Sequence, residues 1–592
     1  MNTKRTVTCG ELRASGLGRK VVLNGWVDSV RSFGTLLFVD LRDRYGISQV
    51  VFDGSADAAL LASAKELRLE YCIAASGVVR SRPEGQENKD RATGAVEVLA
   101  DGLQVFSKAN PLPFVVSDPE VPSDEVRMRH RYLDLRRPKM RDALDLRARM
   151  ASAVHQFLSG EGFWEIETPM LARSTPEGAR DYLVPSRVNP GCFYALPQSP
   201  QQFKQLLMIA GCDKYYQLAR CFRDEDLRAD RQPEFTQIDV EMSFADRDDI
   251  FSLSERLMKS MFEKAIGLAV ETPFPRLSYA EAKERYASDK PDLRYSLEVV
   301  TLNALVANCG FRVFDDAVAA GNSVRGIKAP GCAALSRKQI TELEGVCTSA
   351  NAKGMAWMKF VAPGSFEGPV SRFFDAEAAT RIATALGAEP GDLLCFVADT
   401  RSVADAAMNN LRRHLGRELK LYDPATFHFA WVTDFPLFSW NEENQRYDSE
   451  HHPFTSPIPQ DVEALRGDLT GIPSASYDLV INGFEIASGS VRIHDPEVQR
   501  EVFRILKISD EDIRERFGFF IDALQYGTPP HAGIAFGFDR LVALGLGQDS
   551  IRDVIAFPKN TRAMDMMNGA PSTVDEKQLV DLHIRLRLPE VK

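Results

Sequence analysis

The densest run of chemically capable side chains is Cys221-Phe-Arg-Asp-Glu-Asp-Leu-Arg-Ala-Asp-Arg-Gln-Pro-Glu-Phe-Thr-Gln-Ile-Asp239, where arginines and carboxylates alternate between two strand-like stretches and an aromatic follows. Arginine grips phosphate or carboxylate with two parallel hydrogen bonds, and carboxylate oxygens suit Mg2+ or an ammonium group. A surface network of weak ion pairs would use the same residue types. A second run, Gly533-Ile-Ala-Phe-Gly-Phe-Asp-Arg540-Leu-Val-Ala-Leu, is a glycine-spaced strand feeding an apolar helix, with one arginine at the junction. A third, Gly162-Phe-Trp-Glu-Ile-Glu-Thr-Pro-Met-Leu171, reads as a strand closed by Pro169, which alone marks no more than a sheet edge. Asp478 and Glu485 stand seven apart around Val480-Ile-Asn-Gly, either sharing a pocket or lying as separate surface acids on a hairpin. There is no G-x-x-x-x-G-K-S/T loop and no G-x-G-x-x-G after a strand, so a nucleotide would be held by side chains. No G-x-S-x-G elbow or Cys/His arrangement marks a protein nucleophile.

The elements that position these residues are spread over 592 residues, about four domains' worth of chain. Residues 1–108 read as five short strands, Val21–Val27, Thr35–Arg42, Ile47–Phe52, Tyr71–Arg80 and Ala95–Phe106, which suit a small closed barrel or a five-strand sandwich. A proline-punctuated linker follows over 109–135. The stretch Arg127–Met150 carries nine Lys/Arg against three Asp, and is either a salt-bridged helix face or a phosphate-facing hinge. Residues 136–294 and 426–560 hold the motif-bearing core, 295–425 form an Ala-rich insertion between them, and 561–592 are a C-terminal extension.

Lys plus Arg number 72 against 83 Asp plus Glu, a net charge of −11, so any nucleic-acid contact must come from local basic faces. No apolar run approaches the roughly 18 residues of a membrane span and no secretory leader opens the chain, which predicts a cytoplasmic protein without a membrane partner. The nine cysteines form no C-x-x-C and no zinc spacing with histidine, and read as buried thiols.

In this order and separation, the three runs resemble motifs 1, 2 and 3 of the class II aminoacyl-tRNA synthetases. Four further segments resemble the bacterial type of the aspartyl-tRNA synthetase family: Ser174-Thr-Pro-Glu-Gly-Ala-Arg-Asp-Tyr-Leu-Val-Pro-Ser-Arg187, Gln198-Ser-Pro-Gln-Gln-Phe-Lys-Gln-Leu-Leu207, His451-His-Pro-Phe-Thr-Ser-Pro457 and Gly489-Ser-Val-Arg-Ile-His494. The resemblance spans essentially the whole chain. It implies an α+β multidomain protein: an N-terminal five-stranded OB-type anticodon-binding barrel, a catalytic core on an antiparallel sheet with helices, and an inserted α+β GAD domain. It also implies ATP and Mg2+ as cofactors, L-aspartate and tRNA(Asp) as substrates, and a homodimer through motif 1 and Pro169.

By that resemblance Arg223 bridges the ATP α-phosphate and the aspartate carboxyl. Asp224, Glu225 and Gln232 orient ATP, Phe235 stacks on adenine, and Arg540 covers the other face of the base and reaches the γ-phosphate, with Gly537, Phe538 and Asp539 beside it. Arg223, Arg540 and Glu485 are the implied catalytic set, with Asp478 and Glu485 holding Mg2+. Lys204 and Arg492 receive the aspartate side chain, Glu177 and Asp239 its ammonium group, and Ser199, Gln201, Gln202 and Phe203 complete the pocket. His451 senses the bound aspartate. A pocket built around two cations rejects the neutral amide by leaving charge unpaired. In the barrel Arg31, Phe38 and Gln49 match anticodon-contacting positions, although Phe38 in an alternating strand could equally be core.

Phe33 and Gly85 match positions linked to accepting or refusing tRNA(Asn), and glycine at the second resembles the enzymes that also accept it. Two departures stand out: Asp28-Ser-Val-Arg31 where many relatives have three consecutive basic residues, and Ala487-Ser-Gly489 where three glycines are common. An asparaginyl enzyme shares the motifs but normally lacks the insertion and the Gln-Ser-Pro-Gln-Gln-Phe-Lys segment. A tRNA-independent amino-acid ligase on the same core usually lacks the barrel, and a pure nucleic-acid-binding protein would not keep Arg223, Glu485 and Arg540 together.

Overall fold

The computed structural model describes residues 3–175, 178–227, 230–469 and 471–588. It divides into two compact units, Met1–Asp145 with Arg552–Ser572, and Leu146–Ile551 with Thr573–Lys592.

The first unit holds a closed barrel of five strands, Lys20–Phe33, Leu36–Asp43, Gly46–Asp53, Cys72–Ser81 and Val96–Ser107, with the third and fifth parallel at Val50↔Val98 and Val51↔Leu99. Strand alternation turns Val21, Leu23, Leu37, Val39, Val50, Phe52, Ile73 and Val98 inward as one buried cluster. Helix Ala58–Lys65, capped by the Asp57 side chain on Leu60 N–H, adds Leu61 and Ala64 to that core.

Most of the basic stretch in this unit is internal rather than phosphate-facing. Arg127 binds Asp134 at 3.2 Å and Asp553 at 2.9 Å. Arg131, 3% exposed, donates to the carbonyls of Arg552, Ile555 and Ala556. Arg136 pairs with Glu70 at 2.7 Å and lies 4.6 Å over the Trp26 ring.

The second unit is built on an eight-stranded sheet, in spatial order Arg276–Ser278, Phe429–Thr433, Ser476–Ile481, Phe484–Val491, His531–Gly537, Glu234–Ser243, Lys214–Phe222 and Trp164–Glu165. Its body is antiparallel, while the short strand at each edge pairs parallel with its neighbour. Helix Arg247–Ala265, opened by an Asp246/Asp249 capping box, backs one face. There Phe251 stacks on Trp431 at 4.2 Å and meets Tyr477 edge-on at 5.1 Å, and Trp431 Nε1 donates to Glu255 Oε1 at 3.0 Å. The expected insertion forms a separate five-stranded antiparallel sheet in the order Val299–Thr301, Ser323–Ala329, Leu393–Asp399, Ala356–Ala362 and Ser365–Glu367. Helices cover both its faces: Arg337–Thr348 and Arg401–Glu418 over Ile327, Cys395 and Val397, and Arg312–Ala319 and Ala376–Ala385 over Val324, Leu394 and Phe396. Small residues let four helices lie close on one short sheet, which accounts for the Ala-rich texture.

All nine cysteines are unpaired, five of them buried. Burial pushes the Cys347 thiol up to about 12. Cys192 is exposed, against the expectation of a buried thiol.

Candidate active site

The face of the large sheet opposite helix Arg247–Ala265 carries a cavity of about 390 Å3. Register decides what lines it. Tyr477, Gly489, Ile534 and Val240 form one row across four strands, and Tyr477 meets Phe251 of the backing helix. Residues one step along therefore face the other way: Asp239 and Glu241 from one strand, Ala535 and Ser488 from its neighbours. Both acids are fully buried.

Helix Gln201–Ile209 brings Lys204 onto this floor, with Nζ 2.7 Å from Asp239 Oδ1 and 3.3 Å from Glu241 Oε2. Arg492 approaches Glu241 from the other side with two parallel bonds, Nε to Oε1 at 2.9 Å and Nη2 to Oε2 at 3.1 Å. Its Nη1 donates to Ser490 Oγ at 2.7 Å and lies 2.8 Å from His452 Nε2. Burial opposes ionisation of Glu241, but Arg492 and Lys204 outweigh it and hold the carboxyl below its usual range. At Asp239 burial wins over Lys204 and the pKa rises. Asp239 Oδ2 has no hydrogen-bond partner among the described residues. The two cations are thus desolvated and already ion-paired, with one acid oxygen left over. Burial and Arg492 push His452 far below its ordinary range, so it is the neutral acceptor for Arg492.

Gly533 makes room for this arrangement, since a Cβ there would sit 1.8 Å from Glu241 Oε2.

Strands Ser476–Ile481 and Phe484–Val491 form a hairpin turned by Asn482 (φ 53°) and Gly483 (φ 83°), a two-residue turn that needs positive φ at both positions. A bulge between Leu479 and Val480 sets Leu479 opposite Ala487 and Val480 opposite Glu485, so Ile486 is the extra residue. That extra residue reverses the alternation and brings Glu485 to the same face as Ser488 and Asp478. Glu485 has its pKa raised by burial and by Asp478. Asp478 Oδ1 has no hydrogen-bond partner among the described residues and stands 3.6 Å from His451 Nε2. Burial works to lower the His451 pKa, but Asp478 outweighs it and the pKa rises. His451 also packs edge-on to Phe435 at 4.8 Å. A buried Asp478 with an unpartnered oxygen beside a half-buried Glu485 fits a divalent cation held partly by a phosphate ligand. Among the described residues no cluster of three or more His, Cys, Asp or Glu forms a closed metal cage.

The third group comes from the loop between Lys214–Phe222 and Glu234–Ser243. Arg223 and Phe235 both line the cavity, with the guanidinium 5.1 Å from the ring centre. Glu225 binds Arg231 at 2.9 Å, and Gln232 is buried. Opposite, Gly537 caps helix Phe538–Gly545, whose first turn presents Arg540. Arg540 Nη1 donates to the Glu485 carbonyl at 2.9 Å, and Nη2 lies 3.4 Å from Asp230 Oδ2.

Several anticipated residues stand elsewhere. Phe203 and Gln202 line a second cavity of about 410 Å3 together with Pro169, Leu171 and Phe519, and Ser199 borders both. Phe538 is 2% exposed under Arg147 rather than open to the site. Asp539, by contrast, does border the cavity, and it takes Arg147 Nη1 at 2.5 Å and Thr236 N–H at 2.8 Å, which ties the helix to the sheet. Asp224 bridges to Arg180 outside the cavity lining, while Gln201 lines it. Glu177 lies outside the described residues. Glu241, His452 and Ser490 were missed by sequence reasoning. Glu241 had a signal: two acids at i and i+2, alternating with Ile238 and Val240, put one face of a strand in a charged environment.

On the barrel of the first unit, Phe38 turns away from the Leu37–Val39–Leu41 core and stands half-buried opposite Arg31 on the neighbouring strand, so it is not a core residue. Arg31 Nη2 reaches Asp40 at 3.3 Å and Gln49 Oε1 at 3.2 Å, and Gln49 donates to Glu97 at 2.7 Å. Phe33 is 78% exposed, and Gly85 (φ 78°) has open space around it.

One unit with an OB barrel bearing an exposed aromatic, and another with a helix-backed antiparallel sheet and a buried charged cavity, together define a class of protein. Residues 123–561 match the family of tRNA synthetases class II (D, K and N), and residues 21–106 match the OB-fold nucleic acid binding domain. The chain belongs to the class II tRNA synthetases of the D, K and N group.

It is 50% identical over 581 residues to an aspartate–tRNA(Asp/Asn) ligase of Moorella thermoacetica, covering 98% of this chain and 96% of that one. It is 49% identical over 583 residues to an aspartate–tRNA ligase of Ruminiclostridium cellulolyticum, covering 98% of each. Among solved structures it shares the fold of the asparaginyl-tRNA synthetase of Pyrococcus horikoshii in complex with asparaginyl-adenylate (TM-score 0.59, 19% identity, 93% of this chain and 97% of that one). It shares it also with the aspartyl tRNA synthetase of Entamoeba histolytica (TM-score 0.56, 18% identity, 94% and 92%).

Proposed function

We propose that the protein attaches L-aspartate to tRNA(Asp) in an ATP-dependent, AMP-forming reaction, and that tRNA(Asn) is a second acceptor. In the first step an oxygen of the aspartate α-carboxylate attacks the ATP α-phosphorus, giving aspartyl-adenylate and releasing pyrophosphate. In the second a hydroxyl of the terminal tRNA ribose attacks the activated carbonyl and AMP leaves. Neither step needs a protein nucleophile. The protein's work is positioning and charge neutralisation.

The observation that carries the reading is the buried Lys204–Asp239–Glu241–Arg492 arrangement. Lys204 and Arg492 receive the side-chain carboxylate of aspartate. The unpartnered Asp239 Oδ2 takes its ammonium, assisted by Glu177, and Ser199 and Gln201 border the same space. Arg223 meets the α-phosphate, Phe235 and Arg540 sandwich the base, and Glu225 and Gln232 orient the nucleotide. His451 adjusts to the bound amino acid beside Asp478. Asp478 and Glu485 would hold Mg2+, which would supply neutralisation of phosphate charge. Phe38, Arg31 and Gln49 read anticodon bases by stacking and hydrogen bonding.

Two copies join around Pro169, where Trp164 and Leu171 are exposed apolar residues. No helix among the described residues is long and apolar enough to cross a membrane, and we assign the reaction to the cytoplasm.

The test is amino-acid-dependent ATP–pyrophosphate exchange with each standard amino acid, then charging of purified tRNA(Asp) and tRNA(Asn) separately. Exchange with aspartate alone is expected; equal exchange with asparagine overturns the reading.

A further inference from the structure

The insertion leaves and rejoins the catalytic sheet beside the hairpin that bears Asp478 and Glu485. Its outgoing segment places Asp292 against the turn, where a Cβ on Gly483 would come within 3.1 Å of the Asp292 Cβ. Its returning segment holds the other turn residue: Asn482 Oδ1 accepts from His428 N–H at 2.8 Å, and Asn482 Nδ2 donates to the Thr426 carbonyl at 2.9 Å. The buried Arg412, on the insertion's helix Arg401–Glu418, fixes the outgoing segment by donating to the carbonyls of Asp292 at 2.7 Å, Tyr295 at 3.1 Å and Leu297 at 2.5 Å. Arg294 then closes on Asp292 at 2.7 Å. Within the segment so held, Lys290 reaches towards the site, with Nζ 3.9 Å from Glu485 Oε2 and 3.8 Å from Asp289 Oδ2.

We propose that Lys290, in the core segment that leads into the insertion, is a further phosphate-binding residue of the nucleotide site, held in place by the insertion's Arg412. The inference rests on the reading of the cavity as an ATP site. At distances of 3.8–3.9 Å neither acid makes a hydrogen bond to the ammonium, and the side chain is 46% exposed. Its three protons therefore remain available to an anionic ligand beside Glu485. The triphosphate is the anionic part of the nucleotide, and Lys290 meets its β- and γ-phosphate end and the pyrophosphate released from it. Arg540 also contacts Glu485, so the acid is flanked by two cations from separate elements. Arg540 comes from the sheet-to-helix junction of the core, whereas Lys290 depends on the insertion's anchoring by Arg412. The insertion acquires through Lys290 a part in adenylation that its own sheet and helices do not supply.

The test compares wild type with Lys290→Ala, Lys290→Arg and Lys290→Glu in aspartate-dependent ATP–pyrophosphate exchange, with ATP, aspartate and pyrophosphate varied in turn. Lys290→Ala is expected to raise the KM for ATP and for pyrophosphate about tenfold, the scale of one charge-assisted contact, while the KM for aspartate stays within twofold. Lys290→Arg recovers most of the loss, and Lys290→Glu exceeds the alanine effect. Unchanged KM values for ATP and pyrophosphate in Lys290→Ala overturn the proposal. So does an equal rise for aspartate, which would mark a general structural role. If wild type exchanges with another amino acid and not with aspartate, the function reading fails and Lys290 is judged with that amino acid. If it exchanges with none, both fail.

Discussion

Replacing Arg492 with lysine keeps the positive charge and removes the planar fork, so it isolates geometry from charge. Arg492 has four polar contacts: two Glu241 oxygens at 2.9 and 3.1 Å, Ser490 Oγ at 2.7 Å and His452 Nε2 at 2.8 Å. A single ammonium without the guanidinium's spread of nitrogens cannot span both carboxylate oxygens and also reach Ser490 and His452. Losing two of these bonds at about 1.5–3 kcal/mol each removes about 3–6 kcal/mol, divided between the fold and the bound amino acid. If half falls on aspartate, kcat/KM for it drops roughly 10- to 100-fold at about 1.4 kcal/mol per tenfold. The assay is ATP–pyrophosphate exchange at saturating ATP with aspartate varied, paired with a titration of ATP at saturating aspartate. The KM for ATP is expected to stay within twofold, because Arg492 and the Arg223–Phe235 pair enter the cavity from different strands. A loss under threefold for aspartate, or an equal loss for ATP, refutes the assignment of Arg492 to the amino-acid side chain.

Gly533→Ala is expected to destabilise the core and abolish exchange, because the new Cβ would lie 1.8 Å from Glu241 Oε2 and 2.5 Å from the Val240 carbonyl; a thermal melt alongside wild type measures it. Stability of the catalytic unit is expected to fall as pH drops below His531's ordinary 6.5, since burial lowers its pKa and the folded state holds it neutral. The sign follows from its bonds: Gln205 Nε2 lies 3.0 Å from His531 Nε2, which accepts, while Nδ1 faces the Pro529 carbonyl at 2.8 Å. The contribution is therefore complete above 6.5 and is lost as pH falls towards the lowered folded value. Denaturant unfolding from pH 7.5 to 5.5 should show a shallower dependence in His531→Gln than in wild type.

What could be read in the chain was local. The five barrel strands show as alternation, and the glycine-spaced run ending in Arg540 shows as a strand meeting a helix, because backbone period and glycine placement are written in neighbouring residues. The partners of charges were hidden. Lys204 and Arg492 are 288 positions apart, and nothing near either one says that Glu241 lies between them. Similarly, Arg127 and Arg131 read as a basic face, yet besides the nearby Asp134 their acceptors are Asp553 and the carbonyls of 552, 555 and 556, over 400 residues away. The spacing of Asp478 and Glu485 suggested a shared pocket, but the bulge that turns Glu485 to the same face depends on strand pairing and cannot be counted from sequence. Phe538 and Asp539 were adjacent to Arg540 in the motif, and adjacency on a helix gave them different neighbours.

The neck of the insertion has a consequence for how the chain assembles. Tyr295 stacks on Tyr422 at 5.6 Å, and Arg294 lies 3.8 Å over the Tyr422 ring, so the two ends of the inserted segment are clasped by its own residues. Strands Arg276–Ser278 and Phe429–Thr433 pair in parallel across that gap. Bringing them together around the open loop of about 150 residues between them would cost about 1.7 kcal/mol more than around the roughly 22 residues that lie outside the closed neck, at about 0.6 kcal/mol for each of about three doublings. A folded insertion with a closed neck removes that difference before the sheet forms. The order of assembly this favours is insertion first, then the edge of the catalytic sheet, so that an interruption in the sequence shortens the search for the pairing it interrupts.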